Sequence, residues 1–160
     1  MSLRIHQTCP ADAVEAAFFR IQQERMSDVP MLNPALSVAA VDFQGWQQHW
    51  LGIVVTPWCM SVLLVPGSAD NWVPAGNNQR RFVKFPAGDF AFLGADEDEL
   101  GEYQSCSLFS PMGNFSTQSA AMLTARASLI ALLTSPQPPA AKEARSDQPS
   151  LSRRRFLALR

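Results

Sequence analysis

Apolar residues near the start recur at helical spacing: Val14, Ala17, Phe18 and Ile21, with the stem of Arg25 on the same stripe. That period predicts a helix over Asp12–Met26. Asp12 followed by Glu15 has the form of a capping box, and Pro10 suits the turn before it. Pro30 and Pro34, in "SDVPMLNPALSV", force extended or turn backbone and end the helix. From Ser37 to Phe109 the pattern changes to short runs. "SVAAVDF" is the first predicted strand. "WLGIVVTP" and "WCMSVLLVPG" have no polar face, which predicts central strands covered on both sides. "RRFVKF", "DFAFLG" and "GEYQSCSLFS" follow, separated by turns at Pro86–Gly88 and Ala95–Leu100. The acidic stretch Asp96–Glu99 reads as a solvated turn. Ser116–Leu133 is helical again, with Met122, Ala125, the stem of Arg126, Leu129, Ile130 and Leu133 on one wide stripe. Asn114 or Ser116 would cap it and Pro136 stop it.

These elements predict an α+β domain over residues 1–134: a mainly antiparallel sheet of five or six strands with N- and C-terminal flanking helices. Beyond it "PQPPAAKEARSDQPS" is rich in Pro, Ala and charge and has no apolar period. Residues 135–150 therefore read as a flexible tether, followed by a basic tail at 151–160, the two together a disordered C-terminal tail.

Composition narrows the function. Nearly half the residues are apolar and the net charge is −1, which excludes a basic nucleic-acid binder and a wholly disordered chain. Twelve prolines and eight glycines favour turns and strands over long helices. Cys9, Cys59 and Cys106 include no Cys-x-x-Cys pair, and three thiols cannot all pair internally, so a reducing compartment is expected. With no signal-peptide core and no run of membrane-spanning length, the chain reads as soluble and cytoplasmic.

Catalytic chemistry is not signalled. His6 falls in a terminus expected to be mobile, His49 sits between Trp46 and Trp50, and neither stands at metal-ligand spacing. No nucleophile elbow or Gly-rich phosphate loop is present. Cys59 and Cys106 lie in apolar strands, where a thiol is inert unless the two meet on neighbouring strands as a redox or metal-handling pair. Binding is the stronger expectation, because Trp46, Trp50, Trp58 and Trp72 crowd the early sheet with Met60 and Met112 nearby in the pattern. Trp72, in the polar loop "SADNWVPAGNNQ", is expected to be partly exposed. "TPWCM" and "SLFSPM" each end a strand beside a proline, so Trp58, Phe109 and Met112 could frame one groove for an extended peptide. The candidate client-binding residues are therefore Trp58, Met60, Trp72, Phe109 and Met112.

The segments "ERMSDVPMLNPALSVAAVDF", "WLGIVVTPWCMSVLLVPG", "RRFVKFPAGDFAFL", "LGEYQSCSLFSPMGNF" and "TARASLIALL" resemble the core of HybE-type [NiFe]-hydrogenase assembly chaperones, from Phe19 to Leu133. The ordered set N-P-x-L, T-P-W and S-L-F-S-P-M is the specific part. Two positions depart from the expected pattern: Cys59 stands where an aromatic is expected and Ser61 where an Asn is expected. The resemblance implies a non-catalytic chaperone without a cofactor or resident metal, in the cytoplasm. It would attend the iron–sulfur small-subunit precursor of an uptake hydrogenase and its signal peptide, and also the large subunit or other maturation factors. It would delay twin-arginine export until assembly. The alternative is a factor that protects or loads iron–sulfur clusters through Cys59 and Cys106. Some relatives carry a fused rubredoxin module, which needs two Cys-x-x-Cys pairs that these cysteines do not provide.

Residues 151–160, "LSRRRFLALR", match the client's own export signal at Ser152, Arg153, Arg154, Phe156 and Leu157. By average residue usage, five such coincidences in a chain this long have odds of about one in ten thousand. The expectation is cargo mimicry: a tethered segment that covers the client groove or engages the export receptor.

Overall fold

The two apolar runs without a polar face become interior strands. The computed structural model describes residues 3–30 and 32–136, in the order α1 (Ala11–Arg25), β1 (Ala39–Trp46), β2 (His49–Val55), β3 (Met60–Val65), β4 (Arg80–Phe85), β5 (Gly88–Glu97), β6 (Gly101–Phe109) and α2 (Gln118–Leu132). The six strands form one antiparallel sheet in the order β1-β2-β3-β6-β5-β4. β2 and β3 are interior because both their faces are covered, as the sequence predicts. Val54, Leu63 and Val65 meet Val14, Ala17, Phe18 and Ile21 of α1 on one face. Leu51, Ile53, Val55, Val62 and Leu64 meet Ala121, Ala125, Leu129 and Leu132 of α2 on the other. Each large apolar side chain so buried contributes roughly 1.5–3 kcal/mol.

The sheet is curled. Trp46 at the end of β1 stacks on Phe85 at the end of β4, ring centroids 4.6 Å apart, although β1 and β4 are opposite edges. The edges approach across the concave face that holds α2, and the end of α2 reaches the β4–β5 turn, where Ala87 N–H donates to the Leu132 carbonyl at 3.2 Å.

Local details differ from the sequence reading. The capping box does not form: Pro10 is the N-cap of α1 without a side-chain bond, and the Glu15 carboxylate accepts from Ala40 N–H at 2.9 Å, tying α1 to β1. Thr117, not Asn114 or Ser116, caps α2, its hydroxyl accepting from Ala120 N–H at 3.0 Å. Ile130 is exposed while Ala121 and Leu132 are buried, because the curved sheet covers a narrower arc than the apolar stripe spans. His6 is anchored: its N–H donates to the Pro66 carbonyl, its carbonyl accepts from the Trp50 indole, and its Nε2 bonds the Leu100 carbonyl.

The acidic stretch is not a solvated turn. β5 extends through Glu97, and Glu97 and Glu99 clamp α1. Arg20 donates to Glu99 twice at 2.8 Å and to Glu97 at 2.9 Å, and Arg25 makes a two-pronged contact with Glu97 at 2.9 and 3.0 Å. Planar guanidinium forks suit this arrangement. Hydrogen bonds from Arg20 hold the Glu99 carboxyl below its ordinary range. A depressed folded-state pKa contributes stability above the unfolded value of about 4.3 and loses it as pH falls through the folded one. In melts from pH 7 to pH 3, Glu99→Gln should therefore melt below the wild type near neutrality, and the gap should close as pH drops below about 4. A gap constant with pH would remove the ion pair as its cause.

Candidate functional site

The three motif segments lie up to about eighty residues apart in sequence, yet they meet at one end of the sheet around Asn33. Asn33 N–H donates to the Pro57 carbonyl at 2.9 Å, which joins the N-P-x-L segment to T-P-W. Its Nδ2 donates to the carbonyls of Met112 at 2.9 Å and Phe115 at 2.7 Å, which joins it to the segment after β6. Its Oδ1 accepts from Ala35 N–H, the Asx geometry that makes Asn-Pro a turn. Thr56 organises the second segment: its hydroxyl accepts from the N–H groups of Trp58 and Cys59 and donates to the Cys59 carbonyl. The third leaves β6 at Phe109, passes a cis Ser110–Pro111 bond and returns so that Phe115 meets Phe109 edge to face, centroids 5.3 Å apart.

A cleft of 320 Å³ opens between the first and third segments, lined by Pro30, Leu32, Asn33, Pro34, Phe115 and Ser116 among others. Phe109 is 37% exposed beside it. Among the described residues lining the cleft there is no carboxylate, histidine, cysteine or cation. Such a surface offers a polypeptide apolar rings and the Ser116 hydroxyl, while the Asn33 amide is committed to Met112, Phe115 and Ala35.

The expected groove needs correction. Met60 and Met112 are wholly buried and support the loops from beneath rather than face a client. Met60 and Phe109 are register partners on the α2 side, whereas half-buried Trp58 packs in the α1-side core. Trp58 and Phe109 therefore flank the same strand end from opposite faces. Trp72 is also not exposed. Its indole N–H donates to the Glu102 carboxylate at 2.6 Å, its ring meets His49 edge to face, and Gln104 ties the neighbouring Val73 carbonyl. The polar loop folds inward because it supplies an apolar ring to residues about thirty positions away. His49 is buried, and its Nδ1 accepts from Gly67 N–H at 3.0 Å.

Cys59 and Cys106 do not meet. Cys106 pairs with Val62 and packs on the α2 side; Cys59, an even number of residues from Leu63, shares its α1-side face, its sulfur accepting from Ser61. Burial raises both thiols above the ordinary range. Among the described residues no three His, Cys, Asp or Glu side chains are grouped to hold a metal ion, and no helix is long and apolar enough to cross a membrane. The tail candidates Ser152, Arg153, Arg154, Phe156 and Leu157 lie outside the described residues, as does nearly all of the tether. Asn33 escaped the sequence reading as a site residue. The Asn-Pro dipeptide marked a turn, but nothing local marked the two carbonyls that its side chain would reach.

A family model described as "[NiFe]-hydrogenase assembly, chaperone, HybE" matches residues 9–159. The chain is 39% identical over 155 residues to "Protein HoxT" of Cupriavidus necator, covering 87% of this chain and 86% of that protein. It is 36% identical over 120 residues to "Probable rubredoxin HupJ" of Rhodobacter capsulatus, covering 75% of this chain; the match spans only 43% of that longer relative. The solution structure of HybE from Escherichia coli superposes with a TM-score of 0.68 at 27% identity, covering 95% of this chain and 91% of that one.

Proposed function

The chain belongs to the HybE family of [NiFe]-hydrogenase assembly chaperones, and from that premise we propose that it acts in the cytoplasm by binding rather than catalysis. The client is the iron–sulfur small-subunit precursor of an exported hydrogenase, held back from twin-arginine export until its clusters and partner subunit are in place. The observation that carries this reading is the meeting of N-P-x-L, T-P-W and S-L-F-S-P-M around Asn33. Segments far apart in sequence are brought to one loop cluster, and the cleft between the first and third has no titratable group among its described lining residues. Phe109, exposed beside the cleft, and half-buried Trp58, on the opposite face of the same strand end, are the aromatic anchors we assign to the client, the residue type that dominates binding energy at interfaces. The redox alternative draws no support from two cysteines on opposite faces of the sheet.

Co-purification with a small-subunit precursor, with and without its signal segment, tests the proposal. Phe109→Ala and Trp58→Ala proteins that melt as cooperatively as the wild type should each retain about tenfold less precursor. Undiminished capture by both would sink the loop cluster as the client site. In the same assay, removing residues 150–160 should raise affinity for the signal segment if Ser152–Leu157 compete with it; unchanged affinity would dispose of self-masking.

A further inference from the structure

The cations of this chain are distributed unevenly. Among the described residues Arg20, Arg25 and Arg126 each have a carboxylate partner, and Arg4 donates to the Glu99 carbonyl. The remaining three, Arg80, Arg81 and Lys84, all lie on β4, and no ion pair among the described residues includes them. Arg81 donates to the Gln104 amide oxygen at 2.9 Å; Arg80 and Lys84 are exposed, Lys84 opposite Asp89 across the β4–β5 hairpin without an ion pair and Arg80 opposite Leu93. β4 is also a free edge of the sheet, with every second residue directing its N–H and C=O away from the ladder.

Two cavities adjoin that edge. One, of 270 Å³, is bounded by His49, Asn71, Trp72 and Arg81; the other, of 660 Å³, runs along Arg81–Pro86 towards Trp46. They share Gln47 and Arg81, so they form one trough between the β1–β2 turn and β4. No carboxylate is among the described residues that line it. The turn itself is informative. Gln47 and Gln48 adopt φ of 50° and 69°, a left-handed pair that Asn-Gly fills readily and that longer side chains rarely adopt. Their amide side chains line the trough, where Asn-Gly would offer less hydrogen-bonding reach. Beside the edge, Phe82 is 67% exposed and Leu93 41%.

We propose that this trough and the free edge of β4 receive an extended, carboxylate-bearing segment of a partner protein, added as a seventh strand. Charge selects the occupant. A second copy would set the same cations against one another. Residues 137–160 carry Lys142, Arg145, Arg153, Arg154, Arg155 and Arg160 against only Glu143 and Asp147, so the chain's own basic segment is repelled although α2 ends beside β4. A strand whose acidic residues face the same side as Arg80 and Lys84 meets those two with opposite charge, while Arg81 points to the trough side; such a strand completes the open ladder and covers Phe82. The six residues of β4 span about 20 Å, enough for a segment of similar length. The inference holds for whichever polypeptide supplies the segment, and it stands or falls apart from the loop cluster.

The test uses the full chain and three labelled peptides: a nine-residue alternation of Val or Thr with Glu, the same peptide with Gln for Glu, and Leu151–Arg160. Fluorescence anisotropy should show the Glu peptide binding about tenfold more tightly than the Gln peptide, with the advantage shrinking as salt rises. The double variant Arg80→Glu, Lys84→Glu, both exposed positions, should lose about tenfold in affinity for the Glu peptide at an unchanged melting temperature. On the unmodified protein, hydrogen exchange with the Glu peptide present should slow amides of β4 and leave the loop around Asn33 untouched. No binding of the Glu peptide, equal binding of the Gln peptide, tighter binding of Leu151–Arg160, or protection at the loop cluster instead of β4 would each overturn the proposal.

Discussion

Asn33→Ala should destabilise the protein by about 3 kcal/mol, lower its melting temperature by roughly 6–12 °C and reduce precursor capture. The side chain makes three hydrogen bonds: to the carbonyls of Met112 and Phe115 and from the N–H of Ala35. Alanine removes all three and leaves the Met112 carbonyl beside a wholly buried methionine, where water is a poor substitute. Asn33→Asp is the sharper variant. It keeps the acceptor for Ala35 but aims a carboxylate at two carbonyl oxygens, so it should be at least as damaging as alanine, although aspartate is the closest isostere. The damage should begin locally, since Asn33 and residues 112–117 lie outside the strand ladder. Amide exchange near residues 112–117 should accelerate at temperatures where the sheet is still protected. An Asn33→Asp protein with wild-type stability would show that the two carbonyl contacts carry no net energy.

Gly94→Ala should cost about 3 kcal/mol or more. A Cβ there would lie 2.3 Å from the carbonyl oxygens of both Ala75 and Gly76, and backbone cannot swing aside as a side chain can. The loop crosses β5 this closely because Asn78 N–H donates to the Gly94 carbonyl at 2.9 Å and Gly94 N–H to the Gln79 carbonyl at 3.1 Å. Relieving the clash must break those bonds, and the loop they hold carries Trp72 over His49 and Glu102. Loss of stability should therefore come with a red shift in tryptophan emission as Trp72 meets water. Gly45→Ala is the control: nothing lies within 4 Å of a Cβ built there, and stability should change little. Equal denaturation midpoints for the two variants would refute the close approach at Gly94.

The elements with a long, regular period were the legible ones. The stripe of Val14, Ala17, Phe18 and Ile21 and the two polar-free runs at β2 and β3 placed a helix and two interior strands within a residue or two of their observed bounds. Their signal is local, carried by neighbours a few positions apart. The misreadings involve partners far apart in sequence. Glu15 looked like a capping residue and serves β1; Asp96–Glu99 looked like a solvated turn, and Glu97 and Glu99 serve α1. A carboxylate's sequence neighbours do not reveal which arginine some eighty residues away it will meet.

Alternation along the chain determined by itself that there would be a largely antiparallel α+β domain, and the ordered motifs determined the family. Only the tertiary structure decided which face each candidate occupies. Between Met60 and Ser61 the pairing with β6 slips past Leu108, and that one extra residue puts Phe109 on the α2 side with Met60, while Trp58 stays on the α1 side. Side chains alternate with a period of two, so a single-residue bulge reverses every assignment beyond it. The curl that brings Trp46 onto Phe85, and with it the trough beside β4, is likewise a property of six twisted strands acting together. No single strand contains it.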